Sequence, residues 1–159
     1  MKWNPHVTVA AIGQHDDRFL MVEEKVRGKR VINNPAGHLE DAESFIEAVR
    51  RETREETGWE FEPDAVTGIY LWKNLNLRST FLRIAFSGRC IRHHPDWPLD
   101  HGIVGPRWCT RAELDRDDVT LRSPLVTHCI DDHLAGRRLP LDILTCLEPS
   151  EIVLRAARA

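Results

Sequence analysis

Glu52, Glu55 and Glu56 stack three acids on one helical turn. With Glu52 at zero and a step of about 100° per residue, Glu55 falls near −60° and Glu56 near +40°, so the three carboxylates share one flank. That placement is costly for a helix that serves only as scaffold. Like charges three or four residues apart repel by about 0.2–0.5 kcal/mol per pair. Acids in a last helical turn also meet the negative end of the macrodipole, at about 0.3–1 kcal/mol each. A bound divalent cation removes both penalties, and hard oxygen donors at this density suit Mg²⁺, or Mn²⁺, better than Zn²⁺. Spacing alone therefore indicates a metal and, through it, phosphate.

The helix that positions these acids has legible ends. Ser44 and Glu47 match a capping box, in which each side chain satisfies the other residue's backbone N–H. Gly58 suits a left-handed cap after the last turn. Phe45, Ile46, Val49 and Thr53 form the packing stripe, bordered by the acids, so the carboxylates reach the rim of a cleft. Arg51 stands beside them and can neutralise one by a bidentate pair. Upstream, Pro35-Ala36-Gly37 brings bare backbone to the same place, where small residues let an ion or phosphate approach the main chain.

The order Gly37, five residues, Glu43, seven residues, then Arg51-Glu52-Thr53-Arg54-Glu55-Glu56-Thr57-Gly58-Trp59 resembles the Nudix box, GX5EX7REUXEEXGU, with U bulky and apolar. Thr53 is only half apolar at the first U; Trp59 fits the second. Fixed residues of several chemical types at set offsets make this a specific signal. The resemblance implies an α/β/α sandwich (α/β or α+β, with a mixed sheet) around a loop-helix-loop box at 37–59. It also implies a Mg²⁺-dependent hydrolase of phosphoanhydrides. Glu52, Glu55 and Glu56 would be the metal ligands and catalytic acids, with the Gly37 carbonyl as a further ligand. Glu43 and Arg51 would support them.

Segments outside the box extend the likeness. HVTVAAI, FLMVEEKVRGK, NNPAGHLE, LWKN, FLRIAF, RW and LRSPLV are similar, in that order through about residue 144, to the phosphatase NudJ branch. That branch implies hydrolysis of nucleoside tri- and diphosphates or of thiamine-type pyrophosphates, hydroxymethylpyrimidine included, with inorganic phosphate as a product. One departure matters. Before the late strand, where acids are expected, Gly102 and Val104 stand instead, leaving Asp100 or His101 to compensate. Two further readings are a nucleotide-sugar-type pyrophosphatase and a Nudix-fold module that binds a nucleotide without cleaving it.

The whole chain bounds these expectations. A length of 159 residues suggests one domain, 1–159. Apolar content of 42% with 30% charged residues reads as globular. A net charge of −3 argues against duplex nucleic acid as a partner. No apolar run reaches membrane-spanning length, and the start lacks a signal peptide's apolar region. Cys90, Cys109, Cys129 and Cys146 are widely spaced and read as reduced thiols. The expected protein is cytoplasmic, a monomer or small homo-oligomer, acting on a phosphorylated small molecule.

Taken in order, Val7 to Ile12 and Phe19 to Val22 read as a strand hairpin. Glu60 to Asp64 reads as a polar loop, and Val66 to Trp72 and Thr80 to Phe86 as paired strands. Cys90 to Pro106 reads as loop and Arg107 to Cys109 as a strand. Thr110 opens a small helix. Ser123 caps another helix through about Ala135, with Gly136 as its stop. The second half of Leu139 to Leu147 reads as a strand and Ser150 to Arg158 as a terminal helix. Four residues are candidate substrate contacts. Arg83 is a cation in the apolar strand FLRIAF. Arg122 precedes a helix N-terminus, an anion site in itself. Trp72 can stack on a ring, and Asn33 can hydrogen-bond one. Trp108 is expected in the core, and His93 and His94 in a surface loop.

Overall fold

The computed structural model describes residues 3–147. Seven strands and two helices follow in the order β1 (His6–His15), β2 (Arg18–Val26), β3 (Lys29–Asn33), β4 (Ala36–His38), α1 (Phe45–Thr57), β5 (Trp59–Asn74), β6 (Ser79–His93), β7 (Ile103–Thr110) and α2 (Leu125–Leu134). The strands form one mixed sheet in the order β3-β2-β1-β6-β5. β4 is added on β1 and β7 on β2. β1 runs parallel to β6 and antiparallel to β2 and β4.

Alternation along β1 divides the core in two, as strand geometry requires. Ala10 and Ile12 point to one face, where α2 packs Leu125, Val126, Cys129 and Ile130 onto Phe19 and Met21. Val9 and Ala11 point to the other, where α1 brings Ala48 and Val49 against Phe61, Val66, Ile84 and Phe86. Helices therefore cover both faces of the sheet, the sandwich expected.

Several boundaries differ from the sequence reading. Glu60 to Asp64 is not a loop: β5 runs unbroken from Trp59 to Asn74. Pro63 is tolerated because β5 lies at the end of the strand order and its register with β6 shifts at Pro63/Ala65. β6 likewise runs to His93, and β7 starts at Ile103, so the late loop shrinks to the residues between them. At α2 the cap position belongs to Pro124, and Ser123 Oγ makes no hydrogen bond. Gly136 follows at φ +81°, as a helix stop should. Thr110 and Glu113 do exchange bonds, Glu113 N–H to Thr110 Oγ1 and Thr110 N–H to Glu113 Oε2, and a single 3₁₀ turn, Glu113–Asp115, follows. The second half of the 139–147 segment is no strand. Leu139 bridges Val66, and a 3₁₀ turn follows at Leu141–Ile143. The terminal helix expected at Ser150 to Arg158 lies outside the described residues. The four cysteines are free thiols. Among the described residues no helix is long and apolar enough to cross a membrane.

Candidate active site

Local chemistry sets α1 in place. The Ser44 hydroxyl accepts the Glu47 N–H, the Glu47 carboxylate accepts the Ser44 N–H, and Gly58 closes the helix at φ +70°. Thr53, the weak apolar match, is fully buried and donates its hydroxyl to the Val49 carbonyl. A threonine thus satisfies its polar atom within the helix and packs its methyl group, which is why it serves at an apolar position.

Arg51 organises the acids. Its Nε and Nη2 donate to both oxygens of Glu43 at 2.9 and 2.8 Å. Its Nη1 donates to Glu52 at 2.8 Å and to Glu55 at 3.0 Å, and Nη2 also reaches the His38 carbonyl. The bond from Arg51 holds the Glu43 carboxyl below its ordinary range, and the Glu40 N–H adds to this. The hydrogen bonds it donates to Glu43, Glu52 and Glu55 raise the Arg51 guanidinium in turn. Arg51 thus ties Glu43 to Glu52 and Glu55.

Glu52 and Glu56 are each 8% exposed. Burial raises the Glu52 carboxyl, against the pull of Arg51. Burial pushes Glu56 up to about 8, with Glu52, Glu24 and Asp100 adding repulsion; the Ala36 N–H, donated at 2.8 Å, works the other way. Gly37 lies directly against this pair. A β-carbon there would stand 2.2 Å from the Glu52 carboxylate and would push it from the place where Arg51 holds it. Among the described residues no three His, Cys, Asp or Glu side chains are placed so as to hold an ion as they stand. Arg51 bridges Glu52 and Glu55, and Glu56 is turned to the Ala36 amide. The donor chemistry nevertheless suits a hard divalent ion. Two buried carboxylates whose proton affinity is raised, a third beside them and a bare glycine backbone form a set of oxygen ligands.

These residues line a cavity of about 680 Å³. Its walls include Glu52, Glu55 and Glu56 at one end and Asn33, Trp72, Arg83 and Arg122 beyond them. All four candidate substrate contacts are thus brought to the acids. Arg83 sits on β6 opposite Thr8 of β1 and Tyr70 of β5. It is 7% exposed, its Nε and Nη1 have no partner among the described residues, and burial lowers its guanidinium's hold on its proton. A buried guanidinium with two unpaired donors is in place to receive anionic oxygens. Trp72 stacks on Phe81 at 5.5 Å while packing against the α2-side core, so it is both wall and core. Arg122 is pinned by its N–H to the Ile32 carbonyl, with its Nε 3.9 Å from Glu24. Asn34 is fully buried, donates to the Val126 carbonyl and does not line the cavity, whereas its neighbour Asn33 does.

Of the late-loop pair, Asp100 lines the cavity and His101 is exposed away from it. The Asp100 N–H donates to the Glu55 carbonyl at 2.9 Å, folding the loop onto the end of α1. His94 and His93 complete that join. His94 N–H donates to the Gly58 carbonyl, its ring stacks on Trp97 at 3.8 Å, and His93 stacks on Trp59. Trp108, expected in the core, is half-buried and meets Trp59 edge-on. Sequence reasoning missed Glu24, Thr8 and Phe81, which also line the cavity. For Glu24 the available signal was a pair of adjacent acids following the apolar run Phe19 to Val22.

Comparison with known proteins places these features. A family model described as NUDIX domain matches residues 4–129. Phosphatase NudJ of Escherichia coli (strain K12) is 37% identical over 142 residues, covering 89% of this chain and 92% of that protein. Phosphatase NudJ of Shigella boydii serotype 4 matches to the same extent. Among solved structures, a NUDIX hydrolase from Nitrosomonas europaea superposes with a TM-score of 0.88 at 47% identity, covering 91% of this chain and 98% of the other. A MutT NUDIX hydrolase from Burkholderia pseudomallei, at 16% identity and a TM-score of 0.69 over 81% of this chain and 98% of that one, shares the fold.

Proposed function

The chain belongs to the Nudix family and is a hydrolase acting on phosphoanhydrides; from that premise we propose that it uses Mg²⁺, or Mn²⁺ in its place, to hydrolyse nucleoside tri- and diphosphates or thiamine-type pyrophosphates, with inorganic phosphate as a product. The observation that carries this reading is the shared cavity. At one end are acids too closely grouped to be comfortable alone, and within the same walls is a buried arginine whose donors lack partners.

Glu52, Glu55 and Glu56 would hold the ion together with the Gly37 carbonyl. When bound, the ion supplies Lewis-acid polarisation of phosphoryl oxygens and a lowered pKa for bound water. Glu52 and Glu56 bring buried negative charge to the site, and Arg51 fixes the positions of Glu52 and Glu55. Arg83 offsets charge that develops on the phosphoryl oxygens. Asp100 and Glu55, joined through the Asp100 N–H, are the candidates to take the proton of the attacking water. Trp72 and Asn33 contact the ring portion, and Arg122 a phosphate. The four free thiols fit a reducing, cytoplasmic setting.

The test is phosphate release from a panel of nucleotides and thiamine-related pyrophosphates, with and without Mg²⁺, for wild type, Glu55→Gln and Glu56→Gln. Release that needs the metal and falls at least about 100-fold in both variants is the expected result. Wild-type turnover in both variants would discard the assignment. Monophosphate release from nucleotide sugars alone would favour the nucleotide-sugar reading.

A further inference from the structure

The cavity wall holds a further carboxylate, Glu24, to which the hydrolytic reading gives no role. Glu24 lies on β2, opposite Val31 of β3, and Asn33 lies two residues along β3, opposite Val22. Cross-strand partners share a face, so the Glu24 and Asn33 side chains stand on the same side of the sheet, and both line the cavity. Glu23, one residue earlier, projects to the opposite face and is neutralised by Arg30 at 2.9 Å. Glu24 has only a long contact of this kind, to Arg122 Nε at 3.9 Å, and among the described residues its Oε1 is buried without a hydrogen bond. Asn33 is 5% exposed, and its Oδ1 is unpartnered too. Trp72 and Phe81, stacked on each other, form an aromatic part of the same lining.

Two buried acceptors call for hydrogen-bond donors, since each costs free energy while unpaired. A phosphate cannot supply them: its oxygens are acceptors, and the Glu24 charge repels it. A ring edge bearing an exocyclic amine supplies them, and the aromatic residues give its face a surface to lie against. We propose that Glu24 is a specificity-determining residue, which with Asn33 selects phosphorylated compounds whose heteroaromatic ring carries an amino group over those carrying a keto or hydroxyl group at the same position. This rests on the hydrolase reading above only for the identity of the cavity as the substrate site. Glu24 acts in ground-state recognition of the ring, and Arg122, 3.9 Å from it, stands where ring and phosphate portions meet.

The experiment uses matched pairs differing in that one group: CTP and UTP, ATP and ITP, and an aminopyrimidine methyl diphosphate and its hydroxy analogue. Dissociation constants come from calorimetric titration and kcat and KM from phosphate release, for wild type and Glu24→Gln, after melting curves confirm that the variant folds. Wild type is expected to favour the amine-bearing member of at least one pair by roughly 10–100-fold, the range of one charge-assisted hydrogen bond. In E24Q that ratio is expected to fall to within about three-fold, because an amide can donate to a keto oxygen as readily as it accepts from an amine. The change should appear in Kd and KM. A wild type without preference, a preference that survives in E24Q, or no binding of any pair overturns the proposal. So does a uniform fall in kcat across all substrates, which would make Glu24 part of the hydrolytic machinery. Selective binding without phosphate release would leave the selectivity standing and remove the hydrolase reading instead.

Discussion

Glu56→Gln separates what the site costs the fold from what it contributes to activity. In the absence of an ion, burial moves the Glu56 carboxyl from 4.5 to about 8. The sign follows from proton binding. Below about pH 4.5 the folded and unfolded chains both carry the proton, and the group has no effect on stability. Between there and about pH 8 the unfolded chain releases it while the folded chain keeps it, so stability falls as pH rises and is lowest above the folded value. At about 1.4 kcal/mol per pH unit the full shift bounds the loss at about 5 kcal/mol. Relaxation and water entry reduce this to about 2–3 kcal/mol. Glutamine has nearly the same shape, keeps an acceptor for the Ala36 N–H and carries no charge to desolvate.

Metal-free E56Q is therefore expected to melt about 5–10 °C above wild type at pH 9 and level with it at pH 4, given about 2–4 °C per kcal/mol for a domain of this size. Thermal unfolding in excess chelator at the two pH values measures both differences. Addition of Mg²⁺ should then raise wild type by an amount set by its occupancy, about 2.7 kcal/mol at a hundredfold excess over Kd, and raise E56Q much less. An E56Q protein that melts at or below wild type at pH 9 in chelator refutes the reasoning. It would mean that the Glu56 carboxylate is solvated or paired, and that no ion is needed to explain it.

Two other substitutions probe the same charges. Arg83→Met should lower kcat by about 10²–10³-fold, while the ligand-free protein keeps its melting temperature or gains about 1–3 kcal/mol, since two buried donors without partners are removed. Paired kinetics and melting curves report both, and a clear loss of stability would show that the guanidinium is satisfied in the fold. Arg51→Lys should do the reverse, costing about 2–4 kcal/mol as well as activity, because an ammonium cannot span Glu43, Glu52, Glu55 and the His38 carbonyl at once. Chemical denaturation at fixed pH reads that loss, and an unchanged midpoint would rule Arg51 out as the organiser of the acids.

How far the sequence disclosed these features depends on how local their causes are. The α1 acids lie within about a turn and a half of Arg51, and Ser44 lies within one turn of Glu47, so helical spacing alone brings these groups together. Arg83 was legible too, as a cation out of place among apolar residues in a strand that must be buried. β5 was not, because Glu60, Glu62 and Pro63 carry the composition of a loop. Only the partner strand shows that Glu62 projects outward to Arg50 and that Pro63 sits where the register shifts. Glu24 was hidden for a similar reason. In sequence it is one of two adjacent acids near a strand end. Pairing with β3 and β7 is what sends Glu23 to Arg30 and Glu24 into the cavity. Side-chain direction across a sheet is a tertiary fact, and a slip of one residue would have exchanged the two.

The late loop lacks the expected pair of acids and brings a different one, Asp100, to the cavity. Gly102 adopts φ +89° and gives its carbonyl to the Lys25 N–H, a backbone position that favours glycine. Val104 is 44% exposed at the point where the β2–β7 register slips between Glu23 and Glu24. Neither residue lines the cavity, so an acid at either would have stood away from Glu52 and Glu56 as this loop is folded. Asp100 is the loop acid that does line it, and its backbone is tied to Glu55. Asp100→Asn keeps that tie, which uses only main-chain atoms, and removes the charge. If Asp100 takes the proton of the attacking water, kcat should fall by about 10²–10⁴-fold with KM little changed, and raising the pH should restore part of the rate as hydroxide replaces the lost base. If instead D100N turns over as wild type does at every pH, the base is not in this loop, and Glu55, part-exposed beside Glu52 and Glu56, is the next acid to test.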